Sequence, residues 1–233
     1  MTYVRDTSGT VYEVKSPGSN PKYVECGSDL SDISSRRCPP GVDFKSISAE
    51  SEFVVGLGME DRLWGWGWGW VLDDPTIDTN WKQAEVGNGH VVALRRDGTL
   101  WTWGDNEEGQ LCLGNRTSLV SPKKVTDTVA PASALNDIIR VEANDERTAV
   151  LNKWGIAWMC GRNSFGELGI GNTTSQTTFQ RVGDTRFSDI SLGNGFTVAI
   201  DTDGHIWTWG SDTNGRLGNG AAGSTTEEMR ITG

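Results

Sequence analysis

The sequence predicts an all-β protein: a β-propeller of four-stranded antiparallel blades with about five repeat units, either a closed small ring or a partial propeller completed by another chain. Three observations predict it. The chain repeats itself at an interval near 50 residues. Each unit holds four short segments rich in Val, Ile, Leu, Trp or Phe, punctuated by Gly, Asp and Asn, as strands joined by turns require. Glycine and tryptophan are abundant together, with 30 Gly and 11 Trp in 233 residues against 6 Phe and 3 Tyr.

The most faithful repeat is a hairpin. "HVVALRRDGTLWTWG" (His90 to Gly104) and "FTVAIDTDGHIWTWG" (Phe196 to Gly210) are two copies. "RTAVLNKWGIAWMCG" (Arg147 to Gly161) and "FVVGLGMEDRLWGWG" (Phe53 to Gly67) are two more, and a degraded fifth runs from Thr2 to Val14. The Asp-Gly pairs in "RDGT" (Arg96 to Thr99) and "TDGH" (Thr202 to His205) are tight-turn signals. A strand precedes four of the hairpins: "FKSISA" at Phe44, "WKQAEV" at Trp81, "IIRVEA" at Ile138 and "FSDISL" at Phe187. Another follows: "PKYV" at Pro21, "PKKV" at Pro122, "FQRV" at Phe179 and "EMRI" at Glu228. Gly-rich linkers lie between, as in Asp105 to Asn115 and Arg162 to Asn172.

The equivalent residues Leu57, Leu94, Leu151 and Ile200 are 37, 57 and 49 apart. The units are therefore about 1–43, 44–80, 81–137, 138–186 and 187–233, with loops of variable length. No segment carries ten or more residues of helical periodicity, so helix content is expected to be low. A four-stranded blade has two faces to bury, and stacking blades around an axis buries both. Five hairpins but four preceding strands leave three readings open: a five-bladed ring closed by its ends, an arc completed by another chain, or a degenerate unit not counted.

Composition excludes several classes of function. The net charge is -10, which repels phosphate backbones, so no nucleic-acid partner is expected. No apolar run approaches the ~18 residues of a membrane span, so no membrane role is expected. No secretory signal is visible at the N-terminus, which points to a cytoplasmic or virion location. Cys26, Cys38, Cys112 and Cys160 match no zinc spacing. Cys26 and Cys38 could bridge in an oxidising compartment, and reduced thiols are the expectation without a signal.

The pattern H-x-x-A-L-x-x-D-G-x-x-W-x-W-G, followed by N-x-x-G-Q-L-G-x-G-N and then P-x-x-V, resembles the regulator of chromosome condensation repeat. His90, Ala93, Leu94, Asp97, Gly98, Trp101, Trp103 and Gly104 carry it, continued by Asn106, Gly109, Gln110, Leu111, Gly114, Asn115, Pro122 and Val125. The resemblance covers nearly the whole chain, most weakly over 1–50. It implies a rigid protein-binding platform acting through loops on the propeller faces. Members usually have seven blades, and this chain departs from that count.

The resemblance and the spacing together assign most notable residues to structure. Trp101, Trp103, Trp158, Trp207 and Trp209 belong to blade-to-blade core, two positions apart and so on one face. Cys160 stands at a Trp position and reads as an inert buried thiol. Cys112 stands where Gly169 and Gly218 stand in other units, and is strained if the site needs positive φ. The resemblance gives His90 the role of a buried ring bonding to backbone; its equivalents are Phe53, Arg147 and Phe196, which share no catalytic chemistry. His205, in a turn, is expected to be solvated. No nucleophile elbow, metal helix or phosphate loop is present, so no catalytic residue, no metal and no cofactor are expected. Asp105, Glu107 and Glu108 cluster beside Gly109, but their counterparts Arg162, Ser164 and Phe165 keep no carboxylates, against calcium. Asn115 and Asn172 open formal glycosylation sequons that coincide with the repeat's own pattern.

The least typical stretch is "RLWGWGWGWVLDD", Arg62 to Asp74. Trp68 and Trp70 extend the period of Trp64 and Trp66, with Asp73, Asp74 and Asp78 following. These five residues are the candidate partner-binding site, an apolar patch with a charged rim; the bland alternative has the indoles filling a gap in a shortened unit. The functional expectation is a non-enzymatic interaction or structural module in a larger assembly, such as a tailed-phage virion. Its partners would be proteins, including other copies of itself. The alternatives are an exchange factor for a small GTPase, and a secreted lectin or enzyme inhibitor.

Overall fold

The computed structural model describes residues 2–5, 11–14, 22–23, 42–51, 53–67, 79–220 and 223–231. The first sheet is β1 (Thr2–Arg5), β2 (Val11–Val14) and β3 (Lys22–Tyr23), and the second is β4 (Phe44–Glu50), β5 (Phe53–Gly58) and β6 (Leu63–Gly67). The third is β7 (Trp81–Val86), β8 (His90–Arg95), β9 (Leu100–Gly104) and β10 (Leu119–Lys124). The fourth is β11 (Ile138–Asn144), β12 (Arg147–Asn152), β13 (Ala157–Gly161) and β14 (Gln176–Arg181). The fifth is β15 (Phe187–Gly193), β16 (Phe196–Asp201), β17 (Ile206–Gly210) and β18 (Thr225–Arg230). Each sheet is an antiparallel meander in chain order, the arrangement of propeller blades. Helix is confined, among the described residues, to the four-residue α1 (Ala132–Leu135) and a 3-10 turn at Thr213–Gly215.

The hairpins form where sequence dictates. In β8 and β9 the register pairs Ala93 with Trp101 and Val91 with Trp103, so both indoles leave the sheet on one side. The glycine that closes "WTWG" is obligatory. Gly104, Gly161 and Gly210 have φ of 102°, 97° and 99°, and a Cβ at Gly210 would stand 2.6 Å from the Gly195 carbonyl oxygen. The long interval between units three and four has a simple cause. Residues 126–137 hold α1, which tucks Ala134 into the core between those blades.

Blades stack through complementary faces. Phe53, Val55, Leu57 and Leu63 of the second sheet pack on Trp81, Val91, Ala93 and Trp103 of the third. Val92, Leu94, Leu100 and Val125 of the third pack on Ile138, Val141 and Val150 of the fourth. Ala149, Leu151, Ala157 and Val182 of the fourth pack on Phe187, Ala199 and Trp209 of the fifth. The first strands β4, β7, β11 and β15 adjoin one another and so lie innermost. They are stitched by side chains: Gln83 donates to the Val141 carbonyl at 2.9 Å and accepts from its N–H at 3.2 Å, and Arg140 meets Asp189 at 2.6 Å.

The thiol assignments need correction. Cys112 and Cys160 form a disulfide between the third and fourth blades, with Cα atoms 5.7 Å apart. The reason lies in the neighbouring interface. There the equivalents are Gly169 and Trp209, and a Cβ at Gly169 would stand 2.8 Å from Trp209 Nε1. The position that lost its glycine and the position that lost its tryptophan face each other, so the two cysteines replace one contact by a bond. Cys112 has φ of 57°, the positive value expected for a site where other units place glycine.

Candidate functional site

The loops at one end of the blades make a cleft of about 300 Å³ between the third and fourth blades. Asn88 comes from the β7–β8 turn, Asp105, Glu107, Glu108 and Gln110 from the loop after β9, Glu146 from the β11–β12 turn, and Arg162 from the end of β13. Four carboxylates thus face one guanidinium. Arg162 is itself committed, with Nη1 donating to Glu146 Oε2 at 3.2 Å and Nε 3.8 Å from Glu167 Oε1. Asn88 donates to the other oxygen of Glu146 at 3.4 Å. Burial, and then the charge of Glu107, raise the Asp105 carboxyl above its ordinary range.

The loop carrying these groups is rigid for a reason legible residue by residue. Asn106 is fully buried and accepts from the Leu111 N–H at 2.9 Å while donating to the Asn115 and Thr117 carbonyls at 3.0 and 3.1 Å. Asn163 does the same for the next blade, with Leu168, Asn172 and Thr174. The sequon asparagines are part of this brace: the Oδ1 atoms of Asn115 and Asn172 accept from the N–H groups of Thr117 and Thr174. Sequence reading singled out neither Asn106 nor Asn163 for this role, although the shared "N-x-x-G" was its signal.

His90 is buried and bonds to backbone, at Arg147, as expected, and it also meets a side chain on the next blade. Its Nε2 lies 2.9 Å from Thr148 Oγ1 on the next blade. That hydroxyl donates to the Gln110 carbonyl at 2.7 Å, so the imidazole must be the donor. Burial pulls its pKa down to about 4, so the ring is neutral. The equivalent Arg147 behaves alike: its Nη1 donates to Thr197 Oγ1 at 3.3 Å and to the Phe196 carbonyl at 3.2 Å. Burial lowers the Arg147 pKa, opposed by Glu167 and Asp145. The first hairpin residue therefore has a common office, spanning to the next blade. Both groups are sealed in an interface and offer nothing to a substrate.

His205 is partly exposed, in keeping with the solvated side chain expected, and gains a partner. It sits over the β16–β17 turn with Nδ1 3.0 Å from Asp201 Oδ2. Asp201, Asp203 and His205 are close enough to suggest a cation site. The donor count argues against it: Asp201 Oδ1 accepts the Asp203 and His205 N–H groups, and Oδ2 accepts from Trp207 Nε1 at 2.8 Å. These bonds hold the Asp201 carboxyl well below its usual range despite the opposing effect of burial. The cluster is a turn brace.

At the axis, Glu85 and Glu142 occupy equivalent places on β7 and β11. Burial raises both, Glu142 to about 7 against the attraction of Arg140. The sequence-derived candidates Trp68, Trp70, Asp73, Asp74 and Asp78 lie outside the described residues, as do Cys26 and Cys38.

Two repeat profiles, both described as Regulator of chromosome condensation (RCC1) repeat, match this chain, one at 81–110 and 187–216, the other at 97–151 and 155–200. Among curated proteins it is similar to the ultraviolet-B receptor UVR8 of Arabidopsis thaliana, 30% identical over 60% of this chain and 31% of the relative. It is 31% identical to the human E3 ubiquitin-protein ligase HERC2 over 58% of this chain and 3% of that one. The matched stretches thus span less than a third of these relatives. The fold is similar to that of Prp20p from Saccharomyces cerevisiae, with a TM-score of 0.79 and 18% identity, covering 99% of this chain and 61% of that one. With its repeats, blades and interblade faces in agreement, the chain belongs to the regulator of chromosome condensation (RCC1) repeat family.

Proposed function

We propose that the chain is a non-enzymatic protein-interaction module whose acidic cleft receives a basic segment of a partner protein. The observation that carries this is the set Asp105, Glu107, Glu108 and Glu146, gathered around one already paired arginine on braced loops. A rigid anionic cleft favours Lys or Arg side chains and excludes acidic ones. Protein partners of relatives support the reading: Prp20p is described with its binding to Gsp1p and histones. The comparisons lend no support to a virion role. The Trp68–Trp70 edge with Asp73, Asp74 and Asp78 remains part of the proposal as a second contact surface.

The test is titration with an Arg/Lys-rich peptide of about ten residues. Glu107→Lys/Glu146→Lys is expected to weaken binding at least tenfold, roughly 1.4 kcal/mol, while Asp127→Lys/Asp203→Lys leaves it unchanged. Equal loss in both variants would reduce the effect to net charge and sink the cleft assignment. If the chain instead speeds nucleotide release from a small GTPase, the exchange-factor reading takes its place.

One observation favours the secreted alternative. A disulfide between Cys112 and Cys160 is at home in an oxidising compartment. Thiol counting on protein taken from its source under alkylating conditions decides it, a free Cys112 and Cys160 favouring the cytoplasmic location.

A further inference from the structure

Beside the acidic cleft one loop carries a residue its fold does not ask for. Phe165 follows β13 at the place that Glu108 holds after β9 and Asn214 after β17. The third and fifth blades form with a polar residue there, so the blade does not require the phenyl ring. Yet the ring is 42% exposed. Scattered exposed apolar residues need no explanation, but this one adjoins a charged cleft and stands on a rigid mount. The Phe165 N–H donates to Glu167 Oε2 at 2.6 Å, and Glu167 is fully buried. A Cβ at the following Gly166, where φ is 81°, would stand 2.7 Å from the Thr225 carbonyl oxygen, so the loop is pressed against β18. A ring held out on a fixed backbone loses little freedom on meeting a partner.

Arg162 joins this ring to the cleft. It lines the cleft and bonds Glu146 there, and its Cζ lies 5.8 Å from the Phe165 ring centroid. One guanidinium thus separates the carboxylates from the phenyl. On its other side the ring rests against the β15–β16 turn, where a Cβ at Gly195 would stand 3.6 Å from Phe165 Cδ2. At that same turn Arg216 Nη1 donates to the Asn194 carbonyl at 2.6 Å. Cations therefore already flank the ring, and a further one is repelled; an apolar side chain is what the position accepts. In an extended segment, side chains two residues apart share a face and stand about 7 Å apart, a span that crosses one guanidinium.

We propose that the loop face recognises a paired signal in an extended segment of a partner protein: a basic residue in the cleft and, two positions away, an apolar residue on Phe165. The proposal rests on the reading of the cleft as a site for a basic segment and adds its second determinant. The negative cleft and the exposed ring, linked through Arg162, carry it.

Titration calorimetry of the full chain tests it. Three Ser/Gly peptides carry at their centre Leu-Ser-Arg-Ser-Leu, Ser-Ser-Arg-Ser-Ser or Arg-Ser-Arg-Ser-Arg, a symmetric design that serves either chain direction. The leucine peptide is expected to bind at least about fivefold more tightly than the serine peptide, the effect of removing part of a leucine side chain from water. Phe165→Asn, which copies Asn214, is expected to erase that difference and leave the serine peptide unchanged, while Phe165→Leu keeps it. Equal binding of the leucine and serine peptides overturns the proposal and leaves the cleft reading intact, as does a preference that survives Phe165→Asn. So does an arginine peptide that outbinds the leucine peptide only while Phe165 is present, since the ring would then be a cation site. If no peptide binds, or if Glu107→Lys/Glu146→Lys leaves all three affinities unchanged, the cleft reading falls and this proposal with it.

Discussion

Replacing Cys112 and Cys160 together by serine, leaving Cys26 and Cys38 in place, removes the disulfide that crosses from the third blade to the fourth. The loop it closes spans a sequence separation of 48. Chain-entropy reasoning assigns such a loop about 4 kcal/mol, with native strain subtracting from it. Serine at 112, like cysteine, is a non-glycine residue at φ of 57°, so that backbone cost of about 1 kcal/mol is unchanged by this variant and relieved only by glycine. A loss of about 4 kcal/mol is expected, which lowers Tm by roughly 8–16 °C for a chain of this size. The assay is thermal unfolding by near-ultraviolet circular dichroism, followed through the tryptophans. A second double variant, Cys112→Gly/Cys160→Trp, rebuilds the contact that Gly169 makes with Trp209. It restores glycine at positive φ and an indole whose N–H can donate to the Gln110 carbonyl, as Trp209 donates to Glu167 at 3.0 Å. It should recover at least half the lost stability with no sulfur present. If the serine pair melts with the wild type, or the Gly/Trp pair melts no higher than the serine pair, the equivalence of the two interfaces is wrong.

Three further outcomes follow from the buried polar groups. His90→Phe alone should cost about 1–2 kcal/mol in urea unfolding, and His90→Phe/Thr148→Val, which copies the Phe53–Val91 pair, should cost less than the two single changes added together. Arg147→Met should cost about 3 kcal/mol, because the Phe196 and Gly193 carbonyls lose their guanidinium donor. The pH dependence contains two opposed parts. His90, ordinarily near 6.5 and held near 4, binds fewer protons folded than unfolded, so its contribution is lost as pH falls from 6.5 to 4. Glu142, ordinarily near 4.5 and held near 7, binds more protons folded, so stability is lost as pH rises from 4.5 to 7. Each is worth about 3 kcal/mol, so the wild type should be nearly flat between pH 5 and 6.5 as far as these two groups decide it. Glu142→Gln should give stability that rises with pH over that window, and His90→Gln stability that falls; the same slope in both variants would refute the assignment.

Much of the fold was legible because the repeat sets strand, turn and face together. The spacing of Trp101 and Trp103 placed both indoles on one side, and both join the core shared with the second sheet. The Asp-Gly turns and the closing glycine of "WTWG" did the same for the hairpins. What the sequence hid are relations between neighbouring units. Cys112 and Cys160 read as two isolated departures until the stacking showed that their positions touch. His90 and Arg147 read as unrelated substitutions until Thr148 and Thr197 were seen opposite them. The acidic cleft was hidden for the same reason. Asp105, Glu107 and Glu108 were in view, but Glu146, which turns a loop cluster into a cleft wall, comes from the next blade's hairpin.

Native mass spectrometry of the protein isolated from its source, wild type beside Glu107→Lys/Glu146→Lys, tests the central claim most directly. The account predicts a wild-type chain carrying a protein partner and a variant that has lost it. A bare wild-type chain, or the same complex in both, would contradict it.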